Sequence, residues 1–234
     1  MNQEASATAP RLLGTLTIGQ APRPDITPIL ESALPAGTRC VHAGVLDGLS
    51  KEQIAQRYVP RPGEPVLVSR LLDGSSVKLD KAAVRETLAL KLRELEDQGC
   101  TVVLILCTGE FHGLDLQRAW LVEPDRIVPP AAAALAGERQ AGVIVPLAEQ
   151  AASEIGKFAA LSRPPICEVA SPYSGEVQDV ARAARALRER GAQMLILDCM
   201  GFVEAHRRAA VEASGLPVVL SNALVAKLTA ELMS

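Results

Sequence analysis

Two cysteines stand at equivalent places in two similar segments of the chain. Residues 92–109 read LRELEDQGCTVVLILCTG and residues 184–201 read ARALRERGAQMLILDCMG, and they align without a gap at an offset of 92 residues. In each segment a charged helical pattern is followed by an apolar run that ends in Cys-x-Gly, at Cys107 or Cys199. Equivalent thiols at two strand ends suggest one site between related halves. One thiol would remove a proton from a carbon, and the other would return one to the opposite face.

Glycines follow both cysteines and predict turns in the backbone. The residues that form these turns include Gly109 after Cys107, and Met200 and Gly201 after Cys199. Such turns bring backbone N–H groups close to the sulfur and to a bound anion. These dipoles lower the pKa of a thiol, so we expect thiolate near neutral pH. The alternative, a small buried hydrophobe, suits the cysteines inside or at the start of apolar runs, Cys40, Cys100 and Cys167.

Polar side chains near strand ends and in the hairpin are candidates for holding a substrate. A guanidinium binds a carboxylate through two hydrogen bonds, and hydroxyl and amide groups also donate to carboxylates. The candidates of this kind are Thr17, Gln20, Arg23, Ser69, Arg70, Tyr173, Ser221 and Asn222. Arg23 is equally well explained as a solvated loop charge.

Three further residues are candidates to assist the thiols. They are Asp198, which directly precedes Cys199, and Glu110 and His112, which follow Cys107. Asp198 could orient or deprotonate one thiol, although a hydrogen-bonding role at the strand end is slightly favoured. Glu110 and His112 are also typical of a solvated loop.

The composition limits the functional class. The 234 residues suffice for one large domain or two lobes, and 48% apolar with 22% charged residues is typical of globular proteins. A net charge of −3 without a basic stripe argues against nucleic acid as a partner. No apolar run approaches the roughly 18 residues of a membrane span. The polar start is neither a signal nor a transit peptide, so we expect a disordered tail over residues 1–11 and a cytoplasmic location.

Motifs for cofactors are missing from the sequence. An odd count of five cysteines argues against structural disulfides, and three histidines without Cys-x-x-Cys argue against a structural zinc site. No G-x-G-x-x-G, Walker A or G-x-S-x-G motif occurs, which disfavours dinucleotide, nucleoside triphosphate and α/β-hydrolase sites. We therefore expect chemistry without a metal or another cofactor.

Strands alternating with helices predict an α/β protein with mostly parallel sheets flanked by helices, and ligands bind such sheets at the carboxyl ends of the strands. We predict an N-terminal lobe over residues 12–139, with a hairpin insertion at about 59–79. A C-terminal lobe is predicted over residues 140–234, of which 217–234 can pack on the first lobe. A short strand is predicted at residues 125–128, and residues 217–228 lie at the same 92-residue offset from residues 125–136, which indicates a duplication.

The motifs in this order resemble those of the AroM family. They are TIGQAPRPD, VSRLLDG, LCTGEF, VEPDRIVPP, GVIVPLAEQ, ASPYS, LDCMGF and SNALVAKLTAEL, which span nearly the whole chain from about residue 12. More distantly, the two cysteines resemble those of the aspartate/glutamate racemase superfamily. That resemblance implies two pseudo-symmetric lobes, an active site in the interlobe cleft, and Cys107 and Cys199 as acid and base without a cofactor. It also implies that Thr108 and the backbone beside it bind a substrate carboxylate.

The chain departs from the superfamily pattern after both cysteines. Well-known members have Cys-Asn-Thr and Cys-Thr, whereas this chain has Cys-Thr-Gly and Cys-Met-Gly, so its substrate contacts differ. The leading hypothesis is a racemase, epimerase or isomerase that moves protons on a small carboxylate or related carbonyl compound. The alternatives are a non-catalytic sensor of a small carboxylate and a single-cysteine decarboxylase or isomerase. No nucleic acid or membrane partner is expected, and the oligomeric state is open, with a homodimer as one candidate.

Overall fold

The computed structural model describes residues 11–173 and 175–234, so the predicted tail of residues 1–11 lies outside the described residues except for Arg11. Strands and helices alternate along most of this chain. The elements are, in chain order, β1 (Leu12–Thr17), α1 (Thr27–Glu31), β2 (Arg39–Gly44), α2 (Lys51–Arg57), β3 (Val66–Arg70), β4 (Ser76–Asp80), α3 (Lys81–Asp97), β5 (Val102–Leu106), β6 (Trp120–Val122), α4 (Pro124–Ala136), β7 (Ala141–Val145), α5 (Ala148–Ala151), α6 (Glu154–Lys157), β8 (Ile166–Val169), α7 (Val177–Glu189), β9 (Met194–Leu197), α8 (Glu204–Ser214), β10 (Val218–Leu220) and α9 (Ser221–Met233).

Two four-stranded parallel sheets have the same topology. The first has the order β2-β1-β5-β6 and the second β8-β7-β9-β10, so β1 matches β7 and β5 matches β9. Each half therefore places the strand that precedes Cys107 or Cys199 next to its first strand. The predicted α/β class with two pseudo-symmetric halves is confirmed.

The central strands are apolar because both faces of each sheet are covered. Every residue of β5 and β9 is buried, as expected for parallel strands with helices on both sides. On one face of the first sheet, α3 contributes Leu88, Leu92 and Leu95 to a core beneath the strands. Another core cluster contains residues of both sheets, among them Leu104 and Ile196, so the two halves are packed together.

The C-terminal helix crosses to the first half of the chain. β10 stays in the second sheet, whereas α9 packs against α1, α4 and β5. Val225 and Ala226 of α9 are buried in the core cluster that the two sheets share. The chain end thus joins the two halves.

The prediction of a strand at residues 125–128 is wrong. These residues lie in α4, and the fourth strand of the first sheet is β6, which ends just before it. Proline is favoured in the first turn of a helix, and Pro124 begins α4, whose later residues are mostly alanine. The 92-residue offset fails here because α8 separates β9 from β10, whereas no helix separates β5 from β6, so β10 starts 98 residues after β6.

The predicted insertion forms an antiparallel hairpin of β3 and β4. Gly74 has a positive φ of 86°, which a glycine adopts without a steric penalty, and this permits the tight turn after Asp73.

Across the described residues, no helix combines the length and apolar character that a membrane crossing needs.

Candidate active site

A cavity of about 820 Å³ is lined by residues of both halves, and both cysteines lie in its wall. Cys107 directly follows β5, and Cys199 lies two residues after β9. The remaining wall includes the β3–β4 hairpin, the segment of residues 60–65 before it, and the segment around α6. The carboxyl ends of equivalent strands thus bring the two thiols to one cavity, as expected for ligand sites in parallel sheets.

The turns after the two cysteines have the predicted contacts but differ in one partner. The Gly109 N–H donates to Cys107 Sγ at 3.3 Å, and the Gly201 N–H donates to Cys199 Sγ at 3.4 Å. The hydroxyl of Tyr173 also lies 3.4 Å from Cys199 Sγ. The two thiols are therefore chemically unequal.

The expected lowering of the thiol pKa values is wrong. Burial raises the pKa of Cys107 to about 12, and the Gly109 N–H lowers it by less than burial raises it. Burial also raises the pKa of Cys199, against the lowering by Tyr173 and the Gly201 N–H. Desolvation disfavours the charged thiolate more than one or two hydrogen bonds favour it. Both thiols are therefore neutral at pH 7 in this structure.

Arg23 is buried behind Tyr173 and does not line the cavity. Its Nε and Nη2 donate to the two oxygens of Asp25 at 2.9 and 2.7 Å, and Nη1 donates to Thr17 Oγ1 at 3.2 Å. Nη2 also lies 3.4 Å from the Tyr173 hydroxyl. Burial lowers the pKa of Arg23, but Tyr173 and Asp25 together raise this pKa by more than burial lowers it. The guanidinium therefore stays charged. The predicted carboxylate binder instead braces the tyrosine that contacts Cys199.

The structure divides the other predicted site residues into two groups. Those that line the cavity with the cysteines are Ser69, Thr108, Gly109, Glu110, Tyr173, Asp198 and Met200. Those that do not line it are Thr17, Gln20, Arg23, Arg70, His112, Gly201, Ser221 and Asn222. Among the lining residues, Thr108 is buried and donates to the backbone oxygen of Asp198 at 3.4 Å, which ties the two cysteine loops together.

Two predicted binders of the first half, Gln20 and Arg70, form hydrogen bonds with the backbone of the hairpin and do not line the cavity. Gln20 accepts from the Leu72 N–H at 2.9 Å, and Arg70 Nε donates to the Gly74 carbonyl at 3.2 Å. Both contacts hold the hairpin. The His112 side chain is 82% exposed, which places it in solvent instead of beside Cys107.

Two predicted binders in the second half support the Cys199 turn from beneath. Ser221 Oγ donates to the Leu197 carbonyl at 2.8 Å. Asn222 Nδ2 donates to the carbonyls of Met200 and Phe202 at 2.8 and 2.6 Å. These side chains fix the turn instead of contacting a substrate.

Glu154 and Lys157, which no sequence pattern singled out, form a buried cluster of ionisable groups with Asp198. All three line the cavity, and Lys157 Nζ forms an ion pair with Asp198 and lies 4.0 Å from Glu154 Oε2. Burial and the charge of Asp198 raise the pKa of Glu154 to about 8. The only signal in the sequence is the Glu-x-x-Lys spacing, which equally suits an exposed helical pair.

Replacement of Gly201 by alanine tests the contact between the Cys199 turn and Tyr173. An added Cβ would lie 2.3 Å from the Tyr173 hydroxyl, so the ring must move away. We expect a loss of stability of about 1–3 kcal/mol, as for other overpacked sites, with loss of the hydrogen bond to Cys199. Urea unfolding measures the first effect, and iodoacetamide labelling of Cys199 measures the second.

Gly156→Ala is the matched control, because an added Cβ there meets nothing within 4 Å although Gly156 also lines the cavity. It should leave stability unchanged or slightly raised. Equal unfolding free energies and equal Cys199 labelling in the two variants would contradict the packing of Tyr173 on Gly201.

Solved structures share the fold at low sequence identity. Allantoin racemase from Klebsiella pneumoniae is 15% identical with a TM-score of 0.59, over 95% of this chain and 87% of that one. An unliganded arylmalonate decarboxylase is 13% identical with a TM-score of 0.61, over 96% and 93%. Glutamate racemase from Thermus thermophilus, in complex with β-chloro-D-alanine, is 18% identical with a TM-score of 0.61, over 96% and 80%. No curated protein sequence matches significantly.

A sequence profile described as "AroM protein" matches residues 13–233. The match covers both sheets, both cysteine turns and the C-terminal helix. The chain therefore belongs to the AroM family.

Proposed function

We propose that the protein is a cofactor-independent racemase, epimerase or isomerase that moves a proton on a small carboxylate or related carbonyl compound. The observation that carries this proposal is the placement of Cys107 and Cys199 in one cavity wall, each after an equivalent strand. One thiolate removes the proton α to the carbonyl, and the opposite thiol returns a proton to the other face. The racemases that share the fold support this reading.

The reaction needs stabilisation of two negative charges, on the thiolate and on the enolate. The N–H groups of Gly109 and Gly201 and the Tyr173 hydroxyl already point to the sulfurs. Donors fixed in a buried site stabilise developing charge strongly, because they need no reorganisation during the reaction. Since burial keeps both thiols neutral at pH 7, the thiolate forms only in small amounts or once a substrate is bound.

A single-cysteine decarboxylase or isomerase is the second candidate. The observation that favours it is the inequality of the thiols, because within residues 11–173 and 175–234 a hydroxyl partner is found for Cys199 and not for Cys107. In that reaction Cys199 delivers the proton, and Cys107 is dispensable.

The test is exchange of substrate hydrogen in D₂O across a panel of amino acids, hydroxy acids, dicarboxylates and hydantoins. Deuterium entering at the carbon next to the carbonyl, with exchange of one enantiomer lost in each cysteine variant, supports thiol chemistry and names the substrate class. Binding of a panel member without exchange would contradict the proposal and favour the sensor.

A further inference from the structure

Each cysteine is linked to a different buried cation through neighbouring residues. Cys199 has Tyr173 as a direct partner, with Arg23 behind it. Among the described residues, Cys107 has a backbone N–H as its hydrogen-bond partner, and it lines one cavity with the buried ammonium group of Lys157, whose charge lowers the pKa of this thiol. Thr108, which directly follows Cys107, donates to the backbone oxygen of Asp198, and the Asp198 carboxylate pairs with Lys157.

Lys157 is placed to serve either of two anions. Its side chain is only 14% exposed and lines the same cavity as Cys107. In this structure it pairs with Asp198, with Glu154 at 4.0 Å. Burial lowers the pKa of Lys157, but Asp198, Glu154 and Cys107 together raise this pKa by more than burial lowers it. The ammonium group therefore stays charged.

We propose that Lys157 is the counter-ion of the Cys107 thiolate, and that Asp198 competes with this thiolate for the ammonium group. The proposal deepens the proposed function by assigning a residue to the Cys107 half of the proton transfer. The charges on Lys157 and Asp198 act on Cys107 with opposite signs, since the ammonium lowers the pKa of this thiol and the carboxylate raises it.

The opposite signs provide the test. Lys157→Met should raise the pKa of Cys107, whereas Asp198→Asn should lower it because it removes a negative charge and frees the ammonium group. Each shift is expected to be about 1–3 pH units, as for single charges near a titrating group. Iodoacetamide labelling rates between pH 7 and 9, read by peptide mass spectrometry, follow the thiolate fraction of Cys107 separately from the other four thiols. A raised pKa slows this labelling and a lowered pKa speeds it.

A merely structural cluster would give a different pattern. Both variants would then loosen the site and speed the labelling of Cys107, or neither would change it, and either result would overturn the proposal. Lys157→Arg keeps the charge and should retain the wild-type labelling profile. Lys78→Met is the control, since Lys78 lines the same cavity but pairs with Glu149 in solvent.

If Lys157→Met does not fold, Asp198→Asn and Lys157→Arg still decide the matter. Labelling needs no substrate, so the outcome is independent of the reaction. Opposite shifts without any deuterium exchange would support Lys157 as the counter-ion and contradict the proposed function. Exchange that requires Cys107, without the opposite shifts, would support the proposed function and contradict the role of Lys157.

Discussion

Replacement of Arg23 by methionine is expected to lower the free energy of unfolding by about 3–5 kcal/mol. The guanidinium is 3% exposed and holds both oxygens of Asp25, whose side chain is 11% exposed. Loss of the cation leaves the buried Asp25 carboxylate with only a longer contact to Arg70 at 4.0 Å, which costs far more than loss of an exposed pair. It also removes the contact of Arg23 with Tyr173, so the labelling of Cys199 should change as well. Urea unfolding measures the stability.

The double variant Arg23→Met with Asp25→Leu should recover part of the loss, because replacement of both partners leaves no unpaired buried charge. Lys51→Met is the control, since it removes an exposed ion pair with Asp73 and should have little effect. A loss no larger than that of the control would show that Arg23 is not the buried brace described above.

Glu154→Gln is expected to stabilise the protein at pH 8 by a few kcal/mol and to have little effect near pH 4.5. The folded state holds the Glu154 proton up to about pH 8, whereas an unfolded glutamate loses it near pH 4.3. Between these values the folded state binds more protons, so wild-type stability falls as the pH rises. Each pH unit costs about 1.4 kcal/mol. The glutamine does not titrate and escapes this loss.

The measurement is urea unfolding of wild type and variant at several pH values from 4.5 to 8.5. The difference between the two curves isolates Glu154 from the other titrating groups. Glu149→Gln is the control, because Glu149 lines the same cavity but is half exposed. Parallel curves for wild type and Glu154→Gln would contradict the burial of Glu154 beside Asp198.

The repeat in the sequence predicted the fold and the two cysteine positions because both depend on local patterns. Apolar runs, charged helices and glycine turns are read directly from residues 92–109 and 184–201. The repeat misled at residues 125–128, where Pro124 and the alanines start a helix.

The contacts of polar side chains could not be predicted from the sequence because they depend on residues far away in the chain. Arg23 looked like a substrate binder until the structure paired it with Asp25 and Tyr173. The position of Lys157 beside Asp198, 41 residues apart, is set by how α6 packs near β9. The thiol pKa values follow from burial in the cavity, which no local pattern reports.

The most direct test of two-thiol proton transfer is α-proton exchange of separate enantiomers, with a substrate from the panel, in Cys107→Ala and Cys199→Ala. In the proposed mechanism each thiol faces one side of the reacting carbon, so each variant should keep one base. We predict that each variant loses racemisation but exchanges the proton of one enantiomer, and that the two variants select opposite enantiomers. Racemisation that persists in both variants, or exchange of both enantiomers by either one, would contradict the account.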